Sequence, residues 1–120
     1  MEQNNEMMDS SEVDVTKTGD SISLGASIVL SGFKNIIKPV EFVVVKKIVG
    51  SYARKFLDNL PNYEGLQLHL KSVHRTEASE KFELHVKVMY DNKQANAEVT
   101  DRNLFVTLDS ALKKIESQVF

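Results

Sequence analysis

Three histidines, His69, His74 and His85, are the side chains best suited to hold a metal or carry a proton near neutral pH. His69 and His85 stand at outward positions of two alternating stretches, and with Glu83 they could ligate a metal ion. The plainer reading is two solvated strand histidines, so no metal and no cofactor are expected. Ser31 and Ser51 each lack a sequence context that would activate a hydroxyl. Gly25, Gly32 and Gly50 do not have the spacing of a phosphate-binding loop. The sequence holds no cysteine, which excludes disulfides, thiolate metal sites and cysteine nucleophiles together. A paired-carboxylate hydrolase needs an enclosed cleft, and a small two-layer domain offers little of one. The expectation is therefore a protein that is not an enzyme and has no small-molecule substrate.

The basic residues are better organised. Counting 100° per residue from the centre of an apolar stripe over Phe42 to Leu60, Lys47 and Arg54 fall nearly opposite the stripe, and Lys46 and Lys55 on its flanks. Gly50 leaves that face flat, and Asp58 interrupts it. Lys113 and Lys114 project from a second amphipathic stretch. Lys71 and Lys87 share an outward strand face with His69 and His85, and Arg75 and Lys93 sit at turns. Such cations neutralise phosphates without reading sequence. The alternative is an ordinary solvated helix face.

The elements that must position these residues follow from composition and pattern. The chain has 120 residues, 42% hydrophobic and 27% charged, which suits one globular domain. No apolar run approaches the roughly 18–20 residues that would span a bilayer, so no membrane association is expected. No basic segment precedes an apolar one at the N-terminus, and the expected location is cytoplasmic. The net charge of −2 conceals a split. Residues 1–32 hold six acids and one base, and residues 33–120 hold 14 bases and 11 acids. Residues 1–23 read as a disordered acidic leader, too polar to offset their ordering entropy. Residues 24–120 read as the folded domain.

Ser21 to Phe33 is a strand candidate, densest at Ile28-Val29-Leu30. Pro39 opens a helix whose stripe is Phe42, Val45, Val49, Tyr52, Phe56 and Leu60. The run Val43-Val44-Val45 favours strand by propensity, but the stripe and the charged opposite side argue for helix. Leu66 to Lys71 and Phe82 to Tyr90 alternate strictly, with a polar turn at Thr76 to Lys81 between them. Asp91-Asn92-Lys93 signals a tight turn before a third strand through Ala95, Ala97 and Val99. Tyr90 has core parity. Thr100 or Asp101 caps a last helix with Leu104, Leu108, Ala111, Leu112, Ile115 and Val119 as its stripe. The order β-α-β-β-β-α predicts an α+β two-layer sandwich, two helices on one face of a four-stranded sheet.

Several of these stretches carry a resemblance. Leu104-Phe105, Leu108-Asp109, Lys114-Ile115 and Gln118 resemble the last helix of the ribosome hibernation-promoting factor family, also called ribosome-associated inhibitor A or the sigma-54 modulation protein family. The hairpin at Asp91-Asn92 is similar to that family's meander, Ile28 to Phe33 to its first strand, and Pro39 to Phe56 to its first helix. The likeness spans about residues 27–120 and is to the short type, with the topology of the double-stranded RNA-binding domain. It implies a non-enzymatic protein, monomeric off the ribosome, that binds the small ribosomal subunit and its rRNA near the decoding centre and silences or preserves idle ribosomes. On that reading the RNA contacts are Lys46, Lys47, Arg54 and Lys55, then Lys113 and Lys114, with Arg75, Lys87 and Lys93 secondary. Two alternatives stay open. One is a general structured-RNA-binding domain. The other is a protein-interaction domain using Gln67, His69, Lys71, Glu83, His85, Lys87 and Met89 on the open sheet face.

Overall fold

The computed structural model describes the backbone of residues 21–76 and 79–120 and the side chains of residues 21–73 and 80–120. The acidic leader lies outside the described residues as far as Asp20. Alternation of period two in the middle of the chain builds three long strands, β3 (Tyr63–Thr76), β4 (Ser79–Tyr90) and β5 (Lys93–Asp101), paired as an antiparallel meander. Asp91 and Asn92 form the β4–β5 turn, both at positive φ (50° and 59°), where asparagine and aspartate are the best tolerated of the larger residues.

The expected four-stranded sheet is corrected to five strands. The stretch expected as one strand over Ser21–Phe33 is folded in two, β1 (Ser21–Leu24) and β2 (Ile28–Ser31), around Gly25-Ala26-Ser27. Ala26 and Ser27 both take positive φ (62° and 55°), which reverses the chain. The hairpin is favoured because it buries Ile22 alongside Ile28 and Leu30. The leader–domain boundary drawn after residue 23 thus falls within β1. The sheet order is β1-β2-β3-β4-β5, and β2 runs parallel to β3.

Helix α1 (Pro39–Asn59) makes the crossover that this parallel pair requires. Proline sits in its first turn, and the Glu41 carboxylate accepts the Lys38 backbone N–H at 2.8 Å. In the valine run only Val45 is buried; Val43 and Val44 face outward, so the helical stripe overrides strand propensity. Helix α2 (Leu104–Val119) is capped by Asn103, whose side chain accepts from the Phe105 and Val106 N–H groups at 2.9 and 3.0 Å. The expected cap at Thr100 or Asp101 is therefore corrected. Asp101 ends β5, and its carboxylate accepts the Asn103 N–H instead.

Both helices bury their stripes against one face of the sheet. Val45, Val49, Ala53 and Phe56 of α1 and Leu108, Ala111, Leu112 and Ile115 of α2 join Leu30, Leu66, Leu68, Leu70, Leu84, Val86 and Val88 in a single core. Ala95 and Ala97, small residues on β5, let α2 lie close over that strand. Tyr90 is half-buried against the same core, as its parity predicts. Where β2 leaves the sheet, Gly32 has φ +84°, and a Cβ there would stand 2.1 Å from the Leu70 carbonyl oxygen. No helix among the described residues is long and apolar enough to cross a membrane.

Candidate nucleic-acid interface

The helix layer presents six cations and four carboxylates. Lys46, Lys47, Arg54 and Lys55 stand on α1 with Glu41 and Asp58, and Lys113 and Lys114 on α2 with Asp109 and Glu116. All six cations are exposed, as the helical spacing predicts. They do not form one uniform patch. Lys46 and Arg54 flank a hollow between α1 and the β1–β2 hairpin, with Gly50 in its floor. Lys47 and Lys55 border a second hollow between the two helices, beside Asp109.

Most of these cations have partners within the domain. Arg54 Nε lies 3.1 Å from Asp58 Oδ2, one helical turn away. Lys55 Nζ reaches Glu116 Oε2 of α2 at 2.5 Å, and Lys113 Nζ lies 3.4 Å from Asp109 Oδ2. Lys114 Nζ donates to the Glu98 carbonyl of β5 at 3.4 Å. Lys46 rests over the Phe42 ring at 5.2 Å. Exposed pairs of this kind contribute about 0–1 kcal/mol each and exchange readily for a phosphate partner.

The residues that carry the family resemblance in α2 turn out to dock that helix. Asp109 accepts the Tyr52 hydroxyl of α1 at 2.8 Å. Burial, together with this bond and the Asp109 and Glu116 charges, pushes the Tyr52 hydroxyl well above its ordinary range. Gln118 Nε2 donates to the Asn96 carbonyl of β5 at 2.8 Å, near the Lys114 contact.

The remaining predicted contacts lie apart from the helix layer. Lys87 projects from β4 on the opposite, open face of the sheet, in register with Gln67 and Asn96. Lys93 follows the β4–β5 turn and lies 5.9 Å from the Tyr90 ring centroid. Arg75 falls in β3 rather than at a turn, because β3 runs on to Thr76; its side chain lies outside the described residues.

The open face has an order of its own. Ser31, His69, His85 and Glu98 face one another in one row across β2, β3, β4 and β5. Ser31 Oγ and His69 Nδ1 are 2.9 Å apart. His85 Nε2 lies 2.6 Å from Glu83 Oε2, and its Nδ1 lies 3.8 Å from Glu98 Oε1. The His85 hydrogen bond, helped by the His85 and Lys71 charges, holds Glu83 below the usual carboxylate range despite some desolvation. Glu98 is the residue that sequence reasoning missed, since Ala95, Ala97 and Val99 dominate the pattern of β5. Its signal was the turn: five residues out from Tyr90 and Lys93 on either strand, His85 meets Glu98.

No family model matches the sequence, and no curated protein does. Among solved structures, the fold is similar to the Protein Y N-terminal domain of Thermus thermophilus. The TM-score is 0.50 at 18% identity, over 81% of this chain and 94% of that one. At that identity the likeness is one of fold.

Proposed function

We propose that this chain is a ribosome-associated hibernation factor. It binds the small subunit near the decoding centre through its helix layer and blocks the path of messenger and transfer RNA. The observation that carries the reading is the coincidence of two likenesses. The α2 residues Leu104-Phe105, Leu108-Asp109, Lys114-Ile115 and Gln118 resemble the hibernation-promoting family. The whole described fold is similar to the Protein Y N-terminal domain. The geometry is compatible with this role. Lys46, Lys47, Arg54 and Lys55 project outward from a rigid two-layer body, and the carboxylate partners of Arg54 and Lys55 can give way to phosphates. None of these residues has a catalytic part to play.

Sedimentation of the purified chain with ribosomal subunits through sucrose gradients, at low and high salt, tests the proposal. Near-stoichiometric capture by the small subunit is expected, falling steeply as salt rises because the contacts are electrostatic. No capture at low salt overturns it. Equal affinity for any RNA duplex would replace it with a general structured-RNA binder.

A further inference from the structure

We propose that Glu83, His85 and Glu98, on the open face of the sheet, form a binding site for one divalent transition cation. Period-two alternation puts Glu83 and His85 on the same side of β4, and the β4–β5 register brings Glu98 directly opposite His85. One donor atom from each residue lies within 4.8 Å of the other two. Ligands of a tetrahedral zinc ion stand about 3.5 Å apart, about 1.6 times a bond of about 2.1 Å, so closing the site needs side-chain movement on the order of an ångström, within reach of the glutamate rotamers.

The donor chemistry selects the ion class. Two carboxylates and one imidazole suit zinc, cobalt, nickel or manganese, whereas calcium asks for six to eight oxygens. Electrostatics favour a cation at this point. Two carboxylates converge on one imidazole, while Lys71 stands across the β3–β4 ladder from Glu83 and Lys87 two residues along β4 from His85. The site is preorganised by backbone pairing rather than by loops. It opens onto a hollow of about 440 Å³ that also includes His69 and Lys87, where water or a donor from another molecule would complete the coordination. His69 is not a ligand of the set, since it falls outside the group whose donor atoms lie within 4.8 Å of one another.

The site lies on the side of the sheet away from the helices, so it stands or falls independently of ribosome binding. Isothermal titration of the full, untagged chain with zinc chloride in a non-coordinating buffer tests it, with NMR of the histidine rings as a second readout. One zinc per chain is expected, undisturbed by excess calcium, with the His85 ring resonances shifting on addition. His85→Ala and Glu98→Gln should each weaken binding at least ~tenfold, no less than the loss of an outer-shell partner costs. His69→Ala should leave it unchanged. The proposal is overturned by the absence of saturable binding, or by binding that survives His85→Ala, which would put the zinc on His74 or the acidic leader. It is equally overturned by binding that depends on His69 and not on His85.

Discussion

The two broad faces of this domain handle charge in opposite ways. On the helix layer, side chains radiate from cylinders, so neighbouring cations diverge and three of the six find separate carboxylates: Arg54 with Asp58, Lys55 with Glu116, Lys113 with Asp109. On the open sheet face, strand register fixes side chains in rows. Ser31, His69, His85 and Glu98 stand in line, and Glu83 and Glu98 converge on a single imidazole. The first surface is adaptable, and suits a polyanion whose phosphates are read by position. The second is fixed, and suits a small ligand that needs several donors at one point. One core serves both, because alternation on β3 and β4 sends Leu66, Leu68, Leu84 and Val86 inward beneath the helices and their neighbours outward.

The contrast can be broken most forcefully where the two layers join. Gly32→Ala would press a methyl group into the Leu70 carbonyl at a backbone angle that alanine avoids. A loss of about 3 kcal/mol or more in thermal or denaturant unfolding is expected, abolishing both faces together. A melting temperature unchanged from the parent would show that β2 leaves the sheet by another path.

Charge reversal separates the faces. Lys47→Glu with Arg54→Glu should weaken capture by the small subunit at least ~tenfold at low salt and flatten its salt dependence. The matching pair on the sheet, Lys71→Glu with Lys87→Glu, should leave capture nearly intact. Gradients that give the reverse order would move the RNA surface to the strands. Circular dichroism of both variants should match the parent, since all four side chains are outside the core.

The smallest effect concerns Tyr63, whose hydroxyl donates to the Ala26 carbonyl at 2.7 Å and ties β3 to the β1–β2 turn. Burial pushes its pKa from 10.0 up to about 12. The folded state holds this proton more tightly than the unfolded chain does. Its contribution to stability is whole below pH 10 and is lost as pH rises through about 12. Alkaline unfolding followed by phenolate absorbance should show a step near pH 12 that Tyr63→Phe removes. A step near pH 10 would mean the turn leaves Tyr63 solvated.

Much of this architecture was legible in the sequence. Val45, Val49 and Phe56 announced α1 by their spacing, and Leu104, Leu108, Leu112 and Ile115 announced α2. Alternation over Phe82–Tyr90 announced β4 with its two faces. The β1–β2 hairpin was not legible, because it turns on alanine and serine in a conformation those residues seldom adopt. The α2 cap was ambiguous because Thr100, Asp101 and Asn103 are all capping types, and only the end of β4–β5 pairing at Asp101 decides among them. Sequence spacing put the helix cations on exposed faces, where the structure has them. It did not show that Glu116 would come from α2 to meet Lys55, since that pairing depends on how the two helices pack.

The contacts from α2 to β5 also bear on how the molecule behaves in a crowd. The last strand of a sheet offers its outward carbonyls and N–H groups to any extended chain that drifts past, the first step toward fibrous aggregation. On β5 the carbonyls of Asn96 and Glu98, alternate residues on that border, already accept hydrogen bonds from Gln118 and Lys114. At the other border, β1 spans four of the described residues. The same residues that seat the last helix thus act as a selvedge, keeping the sheet from growing by one strand too many.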